Sequence, residues 1–93
     1  MKIFITGINS FVGKELIKIL KKKKIKFTGC DINKKNNFIN CDIRSKKISN
    51  IIPANSIVVH LAALANEKLC SKNKRKAYDI NVNGTINLLK ACS

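Results

Sequence analysis

The sequence predicts an α/β domain, a doubly wound parallel sheet of about four strands with helices between them. Three observations predict it. Residues 3–5 form an apolar run that breaks at Thr6-Gly7 and passes, through small residues at 7, 10 and 13, into an amphipathic segment. Residues 56–63 read S-I-V-V-H-L-A-A, continuous rather than alternating, as suits a strand covered on both faces. Around these runs the apolar spacing turns helical, and strands that alternate with helices or crossovers build a doubly wound parallel sheet.

The first element is a strand, a tight loop and a helix. Val12, Leu16, Ile19 and Leu20 are expected on one helix face, with Lys14, Lys18 and Lys21 on the other. The loop before them is then a helix N-terminus, whose unpaired N–H groups and dipole can hold an anion such as a pyrophosphate. Gly7 permits the sharp exit from the strand, Ser10 stands where a phosphate would approach, and Gly13 lets the helix pack closely on the sheet. An ordinary strand-to-helix turn would read the same, because G-x-x-S-x-x-G is wider in its first gap than the dinucleotide fingerprint G-x-G-x-x-G.

Residues 25–30 read as a second strand, with Ile25 and Phe27 on one face, and Asp31 follows it. A carboxylate at the end of the second strand of a βαβ unit accepts hydrogen bonds from an adenosine ribose and repels a 2′-phosphate. That favours NAD over NADP, although Lys34 and Lys35 could pair with such a phosphate. Residues 33–37 are polar and turn-like, 38–41 form a short third strand, and Ser45 is placed to cap a brief helix carrying Ile48, Ile51 and Ile52 before Pro53. After the fourth strand, 64–76 is charged and irregular with room for a helical turn. Residues 77–92 are helical, with Ile80, Gly84 and Leu88 on one line and Val82, Ile86, Leu89 and Cys92 beside it.

Composition bounds the partners. Nineteen Lys and Arg against five Asp and Glu give a formal charge of +14 over 93 residues, which suggests nucleic acid or an anionic surface. Against this, the charge is dispersed, only two residues are Arg, and Lys, Asn and Ile fill close to half the chain, a bias that genome composition also produces. No stretch approaches the roughly 18 apolar residues of a membrane span and the N-terminus lacks signal-peptide organisation, so a cytoplasmic protein is expected. Cysteines at 30, 41, 70 and 92 are too dispersed for a C-x-x-C site and are expected as buried free thiols, with no metal. His60, the sole histidine, lies inside a buried strand pattern and is read as structural rather than as a general base.

Four motifs in order resemble the extended short-chain dehydrogenase/reductase family, specifically its NAD-dependent nucleotide-sugar epimerases and dehydratases. T-G-I-N-S-F-V-G at 6–13 resembles T-G-x-x-G-F-x-G, C-D-I at 41–43 resembles G-D-[IVL], V-V-H-L-A-A at 58–63 resembles V-x-H-x-A-A, and N-V-N-G-T-I-N-L-L at 81–89 resembles N-V-x-G-T-x-N-L-L. The resemblance implies a Rossmann-type fold over residues 1–93, the N-terminal half of a single NAD-binding domain. It implies that Gly7, Ser10, Phe11, Val12 and Gly13 form the pyrophosphate loop, with the Phe11 and Val12 N–H groups as donors. Asp31 would hold the adenosine ribose, and Asp42 with the Ile43 backbone would read the adenine edge. Leu61, Ala62, Ala63 and Leu64 would line the nicotinamide ribose, and Asn81 would project toward the cofactor and catalytic centre.

Two departures stand out. Ser10 replaces the family's middle glycine, at a cost of about 1 kcal/mol if that position needs positive φ; alternatively its hydroxyl bonds a phosphate. The family's Tyr-x-x-x-Lys pair is absent, since Tyr78 is followed at 82 by valine. By resemblance the parent activity is hydride transfer between the nicotinamide and a nucleotide-sugar carbon, and a homodimer stays open for the full-length protein. These 93 residues alone are expected to bind NAD without turnover, and to leave a sheet edge and the last helix underpacked, giving marginal stability or self-association. A non-catalytic NAD-binding module and, more weakly, a basic nucleic-acid-binding protein are the rival readings.

Overall fold

The structure, a computed structural model, describes residues 2–33 and 38–93. Lys34, Lys35 and the rest of the polar turn at 34–37 lie outside the described residues. The order is β1 (Lys2–Thr6), α1 (Phe11–Lys22), β2 (Phe27–Asp31), β3 (Ile39–Asn40), α2 (Ile48–Ile51), β4 (Ser56–His60), α3 (Glu67–Lys72), α4 (Lys74–Tyr78), a π-helical turn (Asp79–Asn83) and α5 (Gly84–Cys92). The strands form one parallel sheet in the order β3-β2-β1-β4, with Phe4 of β1 in register with Thr28 of β2 and Val58 of β4. This is the doubly wound parallel arrangement expected.

Strand alternation places a core on each side of the sheet. On one side Phe4, Cys30, Cys41, Ile48 and Leu88 are buried together, which joins β1, β2, α2 and α5. On the other, Ile5, Ile8 and Leu20 pack with Leu16, Ile17, Phe27, Phe38, Val59 and Leu61 under α1. Full burial of a side chain such as Phe4 or Ile5 contributes roughly 1.5–3 kcal/mol.

Several expectations need correction. The inner face of α1 is Gly13, Leu16, Ile17 and Leu20; Val12 is 57% exposed and Ile19 52% exposed. Ile25 precedes β2 rather than belonging to it, because it closes α1. Its N–H reaches Leu20 O (2.9 Å) while Lys24 N–H reaches Lys21 O (3.1 Å), a Schellman ending with Lys24 in the left-handed region at φ 56°. Ser45 does not cap α2; its Oγ accepts from Lys47 N–H (3.1 Å), and α2 starts at Ile48 without a side-chain cap. β4 ends at His60 and is the outer strand on its side, so Ile57 stays 48% exposed. The C-terminal helix keeps Gly84 and Leu88 inside as expected, but its first part winds as a π-turn and Leu89 and Cys92 face out. All four cysteines are free, yet only Cys30 and Cys41 are buried.

Candidate functional site

The carboxyl ends of all four strands open into one cleft. Its first wall is the loop after β1. Gly7 adopts φ +66°, the left-handed region that glycine alone enters without strain, and a Cβ there would stand 2.7 Å from Ala62 N. Ser10 N–H closes the turn onto Gly7 O (2.9 Å) and Ile8 N–H bonds Cys30 O (3.2 Å). Ser10 has φ −69° and caps α1, its Oγ accepting from Gly13 N–H (3.1 Å). The conditional penalty for a serine here therefore does not arise. A Cβ on Gly13 would stand 2.4 Å from Ile8 O, so glycine lets α1 start against the loop. The N–H groups of Phe11 and Val12 have no acceptor among the described residues, and Phe11 is 82% exposed.

The second wall carries the acids. Asp31, at the end of β2, is 8% exposed and accepts from Asn9 N–H (3.0 Å) and Asn33 N–H (2.9 Å). Its carboxylate ties the loop after β1 to the loop after β2. Beyond β3, Asp42 accepts from Arg44 N–H (2.9 Å), from Nε (3.1 and 3.2 Å to its two oxygens) and from Nη2 (2.8 Å). Arg44 Nη1 reaches on to Asp79 Oδ2 (2.8 Å), and Asn83 Nδ2 donates to Asp79 Oδ1 (3.2 Å). The hydrogen bonds from the Arg44 side chain hold the carboxyls of both Asp42 and Asp79 below the usual carboxylate range. The floor is thiol: burial, then the nearby Cys41, pushes Cys30 up to about 12, so at neutral pH it is an inert apolar group.

The third wall is 61–64, fixed from two directions. Thr6, fully buried, accepts at Oγ1 from Leu61 N–H (3.1 Å) and Ala62 N–H (3.2 Å) and meets His60 Nδ1 at 2.6 Å. His60 Nε2 meets Thr85 Oγ1 at 2.9 Å, and burial pushes its imidazole below the ordinary histidine value. With both nitrogens engaged, the ring joins β1 and β4 to α5, which is the structural role read from the sequence. From the helix side Asn81 grips Leu64, its Oδ1 accepting from Leu64 N–H (2.7 Å) and its Nδ2 donating to Leu64 O (2.9 Å).

Of the residues singled out in the sequence, Gly7, Ser10, Asp31, Asp42, Ile43, Leu61, Ala62, Ala63 and Leu64 line this cleft together. Phe11, Val12, Gly13 and Asn81 do not line it; the first three stand at the start of α1 and Asn81 behind the Leu64 wall. Sequence reasoning missed Asn9, Ile32, Lys76 and Ile80 as lining residues and Arg44 as the partner of Asp42. Arg44 carried one readable signal, its spacing of two from Asp42 across a turn; its bond to Asp79, 35 residues on, carried none.

The model of the NAD dependent epimerase/dehydratase family matches residues 3–93. Among solved structures, the chain is similar to Pal from Bacillus thuringiensis, with 27% identity over 99% of this chain and 35% of that one, at a TM-score of 0.84. It shares its fold with the UDP-glucose 4-epimerase of Thermus thermophilus in complex with NAD (24% identity, 99% and 33% covered, TM-score 0.85). The same holds for a short-chain dehydrogenase/reductase superfamily protein of Agrobacterium tumefaciens with bound NAD (24% identity, 100% and 29% covered, TM-score 0.83). The chain spans about a third of the length of these proteins. No curated protein matches it. With four motifs in order, a parallel sheet in the order β3-β2-β1-β4 and a family match over nearly its whole length, the chain belongs to the NAD dependent epimerase/dehydratase family.

Proposed function

We propose that residues 1–93 are the NAD-binding portion of an enzyme that transfers hydride between a nicotinamide and a sugar carbon of a nucleotide sugar. The observation that carries it is the convergence, on one cleft, of a glycine loop at a helix N-terminus and a nearly buried carboxylate at the end of β2. The residues present fit a dinucleotide. Gly7 lets the loop turn at positive φ and lie directly against the Leu61–Ala62 backbone, where a Cβ would clash, and the N–H groups of Phe11 and Val12 are donors for a pyrophosphate at the positive end of α1. Asp31 keeps lone pairs for ribose hydroxyls beside those it gives Asn9 and Asn33, and its negative charge opposes a 2′-phosphate.

Asp42 and the Ile43 backbone stand where an adenine edge would be read, and the small side chains of Ala62 and Ala63 let the nicotinamide ribose approach. Bound there, the nicotinamide supplies hydride acceptance and return. This chain's own residues bind and orient it. Turnover is not expected of these 93 residues, which contain no Tyr-x-x-x-Lys pair.

Titration of the chain with NAD and with NADP by calorimetry tests this. NAD should bind at least about tenfold more tightly than NADP, a difference of about 1.4 kcal/mol. Asp31→Ala should weaken NAD and narrow the difference. Equal affinity for both, or no binding of either, would overturn the reading. Tight, salt-sensitive binding to duplex DNA in place of NAD would favour the nucleic-acid alternative.

A further inference from the structure

The outermost strands of the sheet are β3 and β4, so the loops that follow them, 41–45 and 61–64, form the two lateral walls of the cleft. One stretch of helix bonds to both. Between residues 79 and 87 two of its side chains, Asp79 and Asn87, bond to the side after β3, and two, Asn81 and Thr85, to the side of β4. Asp79 holds the Arg44 guanidinium after β3 (2.8 Å), and Asn81 grips the Leu64 backbone after β4 (2.7 and 2.9 Å). Thr85 meets His60 at the end of β4 (2.9 Å), and Asn87 Nδ2 donates to Ile43 O (2.7 Å) and Ser45 O (2.9 Å) after β3.

Asp79 and Asn81, two residues apart, reach to different sides of the cleft, one to Arg44 after β3 and the other to Leu64 after β4. The stretch that carries them is wound as a π-turn, a form that occurs mostly as isolated turns and often at functional sites. Asp79, Arg44 and Asn81 do not themselves line the cleft. Their bonds therefore act on the walls and not on a ligand.

We infer that the π-turn Asp79–Asn83 is a two-armed brace that sets the spacing of the cleft walls, with Asp79 and Arg44 as positioning residues for the adenine wall and Asn81 for the nicotinamide wall. The inference rests on the NAD reading for its ligand, but the brace itself is a property of the free chain. Its arms are separable, because they bond to different loops.

Amide hydrogen exchange and ligand affinity, measured on the whole chain, test it. In the ligand-free protein, Asp79→Asn and the charge-conserving Arg44→Lys should each speed exchange of the Arg44 and Ser45 amides about tenfold, the worth of one charge-assisted hydrogen bond. Both should leave Leu64 unchanged, whereas Asn81→Ala should speed Leu64 and leave Arg44 and Ser45 unchanged. With NAD, both Asp79→Asn and Asn81→Ala should raise Kd about five- to tenfold, while AMP, which reaches only the adenine wall, should be weakened by Asp79→Asn alone. Unchanged exchange at Arg44 and Ser45 in Asp79→Asn would overturn the brace. So would a uniform rise at both loops in every variant, which would mark a loss of general stability. A wild-type chain that fails to bind NAD would overturn the cofactor reading and leave the brace to be decided by exchange alone.

Discussion

The hydrogen bonds of His60 have a direction that its neighbours assign. Thr85 spends its hydroxyl proton on Asn81 O (2.7 Å), so its oxygen receives the proton of His60 Nε2. Nδ1 is then the acceptor, and Thr6 donates to it. The neutral imidazole is thus required, and burial lowers its affinity for a proton. The unfolded chain, with the ordinary value of about 6.5, binds the proton more tightly than the folded one. Stability from this group is therefore complete above about pH 6.5 and falls as pH drops below it. Urea unfolding at pH 8 and pH 5.5 should show the loss, and His60→Gln should flatten it; because the chain has one histidine, a slope that survives the substitution would assign it elsewhere. The structural role of His60 was legible because its neighbours in sequence are apolar and β-branched. The conformation of Ser10 was not, because side-chain identity alone does not distinguish a capping φ of −69° from the positive φ a glycine at that place would permit.

At the scale of elements, the pattern of apolar residues found α1 but rotated its buried face. The reason is Gly13. It stands at the centre of the contact with the loop, and a residue without a side chain adds nothing to an apolar pattern, so Val12 and Ile19 pulled the expected face toward themselves. The structure turns that into an ordering of substitutions. Leu20→Ala should cost about 2–5 kcal/mol, as for other buried leucines, and Ile19→Ala less than about 1 kcal/mol, both read from urea midpoints at constant m-value. Equal costs would restore the face expected from the sequence. Elsewhere a continuous helix over 77–92 was legible, but the π-turn within it was not, since one wider turn leaves the line Ile80, Gly84, Leu88 intact. In the sheet, β1 and β4 were legible because they are short apolar runs, whereas β2 (F-T-G-C-D) and the two-residue β3 were legible in place but not in their bounds. Strand β4 is packed on both faces as its continuous apolar run implied, Val58 against one core and Val59 against the other; the half-exposed Ile57 was not legible, since a β-branched residue looks the same in either place.

For the molecule as a whole, charge and apolar surface oppose each other. Among the described residues three ion pairs form, Glu15–Lys18, Asp42–Arg44 and Asp79–Arg44, while the chain carries 19 Lys and Arg. Most of that charge is repulsive, both within a molecule and between molecules. The same surface exposes Val12, Ile19 and Ile57, and separately Tyr78, Val82, Ile86 and Leu89, with the last two and Val82 recurring at helical spacing on the outer side of the C-terminal helix. Outer strand β4 adds unpaired backbone groups that can pair with another chain. At about 10 mM salt the screening length is roughly 30 Å and repulsion spans the molecule; at about 1 M it is roughly 3 Å and only contact forces remain. Raising the salt concentration over that range should therefore raise the thermal midpoint and move sedimentation from monomer toward larger species, with Leu89→Lys suppressing the second effect while sparing the first. If salt lowered the midpoint or dissolved the larger species, attraction between charges would be holding the chain together, and the lysine-rich surface would need a different account from the solvated one argued from its dispersal along the sequence.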